Sequence, residues 1–202
     1  MKIDLKKIVL ALIGILLIGV GVAFNNCSGL GNDPIGIVYD GVRNVAKLSS
    51  EQLGTASNFV NWGLIILLFF IGRRYINIGT LIYILPYGIF VNLGAMIYNN
   101  FLVLNNVVFQ WVTVVVGCLL LYTGVAIFIV MDMGLDPFSG IVMVIRDKLG
   151  WDYKRTKIMF DIVMIIIGVS LGGRLGVVTV LTALTAGPGI QFISNRFKTI
   201  FK

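Results

Sequence analysis

Long apolar runs alternate with short polar breaks along this chain, and the runs define its architecture. Four of them, Ile8 to Phe24, Gly54 to Gly72, Gly79 to Tyr98 and Val107 to Met131, are long enough as helices to cross a hydrocarbon core of about 30 Å. Two more, Ile158 to Gly173 and Leu175 to Ile193, are shorter or interrupted yet still sufficient, which gives six predicted spans. Lys2, Lys6 and Lys7 precede the first run as they would in a signal peptide. No small-residue cleavage site follows Phe24, so a retained helix is expected.

Two further segments have helical patterning but are short and polar. They are Pro34 to Leu48, with Asp40, Arg43 and Lys47, and Pro137 to Leu149, with Arg146, Asp147 and Lys148. Each opens on Asp-Pro, at Asp33-Pro34 and Asp136-Pro137. Asp is a favoured N-cap and Pro suits the first helical position, so each pair predicts a helix start after a break.

The polar landmarks recur. Gly31-Asn32-Asp33-Pro34 aligns with Gly134-Leu135-Asp136-Pro137, Arg43 with Arg146 and Asn58 with Asp161, all at one offset of 103. After a small indel, Thr80 and Gly88 align with Thr179 and Gly187 at an offset of 99. The predicted fold class is an all-α, polytopic membrane bundle of eight helical elements, six full spans and two short or broken helices. It divides into two homologous repeats, residues 1–100 and 101–202, forming one integrated membrane domain. If the short helices do not cross, each repeat has three spans and the two are inverted; if they cross, each has four and the two are parallel. Loop charge places thirteen basic residues inside and three outside under either scheme, with both termini cytoplasmic. It cannot separate the two, although fifteen helical residues reach only about 22 Å.

Composition agrees with a membrane location: 58% of the 202 residues are hydrophobic, 12% are charged, and the mean hydropathy is +0.98. The net charge of +7 sits at the ends of apolar runs, where it orients spans, so a nucleic-acid partner is not expected. The absence of histidine removes His-based catalysis and most zinc chemistry. Cys27 and Cys118 are too few for a disulfide framework. Neither an enzymatic activity nor a metal or other cofactor is expected.

The Gly-rich breaks before Pro34 and Pro137, the Gly172-Gly173-Arg174-Leu175-Gly176-Val177-Val178-Thr179 run and the Gly187-Pro188 turn resemble the YczE/YyaS/YitT group of bacterial integral membrane proteins. The resemblance covers roughly Ile8 to Ile193. It departs in one respect: the acidic residue of the break precedes the proline here, whereas in the group it tends to follow. The resemblance implies a multi-pass protein of the bacterial cytoplasmic membrane with a transport role, and supplies no substrate.

Paired broken helices point to a binding site at a repeat interface. The candidate substrate-binding residues are therefore Asp33, Pro34, Asp136, Pro137, Asn58, Asn61, Asp161, Thr179 and Thr182, with no catalytic or metal-ligating set. Asp161 stands in an otherwise apolar run, where a central charge costs roughly 2.5 to 3.5 kcal/mol and marks an ion or proton path unless it is paired. Lys157, four residues earlier on the same face, supplies such a pair. Tyr83, Pro86, Tyr87 and Asn92 in the third span are further lining candidates, and Thr185 continues the Thr179 and Thr182 row. The expected function is a small-solute secondary transporter or exporter. The alternatives are a substrate-binding subunit of a larger transport complex and a non-transporting accessory protein. Expected partners are membrane lipid and a small-molecule solute, with room for a homo-oligomer.

Overall fold

A computed structural model describes residues 5–101 and 106–200, so Lys2 and Lys202 of the basic count lie outside the described residues. It contains eight α-helices: α1 (Leu5–Cys27), α2 (Pro34–Val45), α3 (Leu53–Ile71), α4 (Ile78–Phe101), α5 (Val107–Met131), α6 (Pro137–Leu149), α7 (Tyr153–Ser170) and α8 (Val177–Ile200). No strand occurs among the described residues. The eight predicted elements are all present. Among the described residues five helices are long and apolar enough to cross a membrane: α1, α3 with its preceding 3-10 turn, α4, α5 and α8. The sixth expected span, α7, has 18 residues and carries Lys154, Arg155, Lys157 and Asp161 in its first half, which lowers its apolar character.

Contact registers settle the helix directions that loop charge left open. Along the α1–α5 seam, Gly14 lies against Gly124 and Phe128, and Gly21 against Gly117 and Leu121, so the two helices are antiparallel. A Cβ at Gly21 would lie 2.6 Å from the Gly117 carbonyl oxygen, which shows how closely the backbones approach. Between α1 and α4 the register rises together, from Gly19 on Phe90 and Val91 to Phe24 on Tyr98, so these run parallel. Along α3 and α4 it runs oppositely, from Glu51 with Asn99 to Asn58 with Gly88. Had the short helices been full crossings, α5 would follow α1 in the same direction.

The breaks before the short helices double back into the bundle instead. Although α2 follows α1, it runs parallel to α7, with Ile37 against Gly168 and Asn44 donating to the Gly172 carbonyl at 2.6 Å. Correspondingly, α6 runs parallel to α3, with Leu68 over Gly140 and Val144 over Gly72. The N-terminus of each short helix therefore starts inside the bundle, and its basic C-terminal turn emerges at one end. We call the end where Leu5 and the α8 C-terminus emerge proximal and the other distal. Arg43, Lys47 and Arg174 are distal; Arg73, Arg74, Arg146, Lys148 and the basic turn of α7 are proximal.

The breaks pack against the starts of distant helices. Val178 N–H donates to the Leu30 carbonyl at 3.1 Å, and Gly79 N–H to the Met133 carbonyl at 3.2 Å. Thr80 Oγ1 adds a 2.7 Å bond to the Leu135 carbonyl. The α1–α2 break is thus held by α8 and the α5–α6 break by α4.

Candidate functional site

The two Asp-Pro starts form as N-caps. Asp33 accepts the Ile35 N–H at 3.2 Å, and Asp136 accepts the Ser139 N–H at 3.0 Å, while Pro34 and Pro137 occupy the first helical turn, both buried. Capping uses one oxygen of Asp33. The Gly36 N–H also lies within reach of this carboxylate, whose other oxygen, Oδ1, is buried.

Between the two caps lies an aromatic cluster. Tyr39 of α2 and Tyr87 of α4 are 5.9 Å apart, Tyr83 stacks on Tyr87 at 4.9 Å, and Phe128, Phe138 and Phe160 close the cluster edge-on. The Asp33 carboxylate lies within electrostatic reach of Tyr39, Tyr83 and Tyr87, and Asp136 within reach of Tyr83. Tyr39 donates to Asn61 Oδ1 at 3.4 Å; Asn61 is wholly buried and its Nδ2 is bonded by no protein group. An unpaired buried polar group costs about 1 to 3 kcal/mol, so these groups favour a polar partner beside the aromatic cluster.

Asp161 reaches the same region from α7. It pairs with Lys157, as the i, i+4 spacing predicts, and both lie within electrostatic reach of Asp33. The structure therefore brings Asp33, Asp136 and Asn61 to the tyrosines, with Asp161 within electrostatic reach of Asp33. It does not bring the rest. The half-buried Asn58 packs on Gly88 in the α3–α4 seam. Thr179 accepts the Gly176 N–H at 3.3 Å, and Thr182 donates to the Val178 carbonyl at 2.8 Å, so both hydroxyls are spent on the start of α8. Tyr39 was not a sequence candidate: a single tyrosine in a short amphipathic segment carries no positional signal until the fold places it beside Asn61. Asn25, wholly buried at the α1–α5 seam with its Nδ2 unpaired and its Oδ1 facing Cys118 Sγ at 3.8 Å, was equally unmarked. Among the described residues no three Cys, Asp or Glu side chains gather as they would around a metal ion.

Both bundle ends are tied electrostatically. Distally, the buried Asp40 pairs with Arg43 at 2.7 Å and accepts the Arg174 N–H at 2.8 Å, joining α2 to the α7–α8 connection. Proximally, Asp147 of α6 accepts from Tyr75 and pairs with Arg74 and Arg146. The Tyr75 hydroxyl, with the Arg146 guanidinium second, holds the Asp147 carboxyl below its ordinary value. A lowered carboxylate pKa contributes stability above the ordinary carboxylate range and loses it as pH falls through the lowered value. The carboxyl carbon NMR signal of Asp147 should therefore titrate below the usual aspartate midpoint and move upward in Tyr75→Phe. A midpoint unmoved by that substitution would remove the hydroxyl from its cause.

Residues 5–195 match a family described as a family of unknown function, DUF6198. This chain is a member of the DUF6198 family. Its relatives include a Haemophilus influenzae protein named only as uncharacterized, 24% identical over 190 residues, covering 94% of this chain and 84% of that one. Two Bacillus subtilis proteins are also similar. The uncharacterized membrane protein YczE is 24% identical over 122 residues, 59% of this chain and 54% of YczE. The uncharacterized protein YyaS is 22% identical over 175 residues, 87% and 86% of the two chains. The expected YczE/YyaS kinship holds, and this DUF6198 member spans only about half of YczE. No solved structure matches the chain.

Proposed function

We propose that this membrane protein is a small-solute secondary transporter or exporter of the bacterial cytoplasmic membrane. In this reading residues 1–100 and 101–202 are inverted repeats of three spans and one half-length helix each, with the solute site between them. One observation carries it: two Asp-capped helix starts lie inside the bundle on either side of a tyrosine cluster, beside the buried Asp33 carboxylate and the unpaired amide nitrogen of Asn61. Irregular backbone at membrane depth is tolerated where it lines a site, and paired interrupted helices supply such sites in inverted-repeat transporters. The antiparallel α1 and α5, with α2 against α7 and α6 against α3, support the inverted arrangement. Among the described residues three basic side chains are distal and the others proximal, which supports both termini facing the cytoplasm.

Purified protein in liposomes loaded with a pH-sensitive dye tests the proposal. A panel of amines, amino acids and sugars is added outside, and at least one should drive solute entry above empty liposomes. Silence across the panel, with co-purification of an ATPase, would replace the proposal with a subunit role. Asp161 is the carboxylate proposed to couple movement to protons or cations, since the chain holds no histidine. Asp161→Asn should keep binding of the transported solute while removing the pH dependence of its flux. An unchanged pH profile would exclude Asp161 from coupling.

A further inference from the structure

The two repeats differ at one seam. In the first, α3 and α4 pack along their length: Gly54 N–H donates to Asn92 Oδ1 at 2.7 Å, and Asn58 lies where a Cβ on the buried Gly88 would be. The same offsets pair Gly54 with Lys157, Asn58 with Asp161, Gly88 with Gly187 and Asn92 with Gln191. Yet α7 and α8 form no packed seam. Gly187 is exposed with no atom within 4 Å of a Cβ placed on it, Gln191 is exposed, and Asp161 bonds Lys157 of its own helix. Joined distally through Gly172 to Gly176, α7 and α8 separate toward the proximal end, beside Lys157 and Asp161, which lie within electrostatic reach of Asp33. In the first repeat α3 and α4 join proximally and close distally, through Glu51 and Asn99.

We infer that the α7–α8 opening is a proximal gate to the central site, and that it closes by adopting the α3–α4 packing, with Asp161 seated on Gly187 and Gln191 facing α7. Two copies of one unit can adopt the same packing, so the closed geometry of one is the template for the other. The complementary state opens α3–α4 distally as α7–α8 closes, exchanging access from one face to the other. A glycine is needed at position 187 only in the closed seam. Its counterpart Gly88 is needed in the open-gate structure described here.

The inference rests on the two-repeat transporter reading, and its test reads distance rather than flux. Spin labels are placed on the full chain in liposomes, in a Cys27→Ser, Cys118→Ser background, at exposed Lys154 and Arg196 for α7–α8 and at exposed Gln52 and Asn100 for α3–α4. Two α7–α8 distance populations are expected, the shorter one rising as the α3–α4 pair lengthens when pH or solute is varied. Gly187→Leu should melt like wild type, since its side chain meets open space, and should lose at least 10-fold of the short population. Gly88→Leu should lower the melting temperature, because its side chain enters the Asn58 amide. A single long α7–α8 distance under all conditions overturns the gate, whether the protein is monomeric or a second copy fills the opening in a dimer seen by light scattering. Exchange of distances without flux of any solute would keep the gate and remove transport. Flux with fixed distances would do the reverse.

Discussion

Asp33→Asn should leave the protein folded and bring solute flux in liposomes down to the empty-liposome background. The asparagine side-chain oxygen can accept the Ile35 N–H as the carboxylate does, and Asn and Asp are equivalent N-caps to within a few tenths of a kcal/mol. The substitution therefore retains the start of α2 and replaces only one buried carboxylate oxygen by an amide. Asp33→Ala separates the two roles. It should cost about 1 kcal/mol of stability from the lost cap as well as the flux. Thermal melting of the solubilised protein and flux on the same preparations decide the matter. Wild-type flux in Asp33→Asn, with a lowered melt only in Asp33→Ala, would reduce Asp33 to a cap.

Gly31→Val should be the most damaging single substitution for the fold. Gly31 has φ of +102°, which a β-branched residue adopts only under strain. A Cβ there would lie 2.6 Å from the Gly176 nitrogen and 2.8 Å from its Cα, backbone atoms that cannot rotate away. Strain of roughly 1 to 3 kcal/mol and overpacking of similar size add, so about 3 kcal/mol or more is expected, with the α1–α2 break detached from the start of α8. Gly150→Asn is the control. That glycine, also at positive φ of +64°, follows α6 with open space around it, and asparagine tolerates the left-handed region. Loss of folded protein in Gly31→Val but not in Gly150→Asn is the expected pattern on size exclusion. A well-folded Gly31→Val would mean that the break is not clamped by Gly176.

Much of the helical layout was legible because its causes are local. Asp33-Pro34 and Asp136-Pro137 announce helix starts through a cap and a fixed φ that need no partner, and both form as read. Lys157 and Asp161 announce their pairing through one turn of helix. The site was less legible. Asp33 and Asp161 stand out as charges in apolar surroundings, whereas Tyr39 and Asn25 are ordinary residues until neighbours from α3, α4 and α5 surround them. Thr179 and Thr182 matched the expected pattern and proved to bond their own backbone, because a hydroxyl at the start of a helix has unpaired amides and carbonyls within reach.

By itself, the sequence determined that this protein is an all-helical membrane bundle of eight elements and where the two Asp-capped helices start, since hydrophobic length and caps are properties of short segments. Only the tertiary structure decided that α1 and α5 oppose each other and that the breaks before α2 and α6 turn back into the bundle. Loop charge reads three against thirteen in either scheme, because it counts residues at the two faces and is blind to whether a short helix crosses between them. Direction is a property of contact between segments distant in the chain. The packing of Gly14 on Gly124 and Gly21 on Gly117 is what records it.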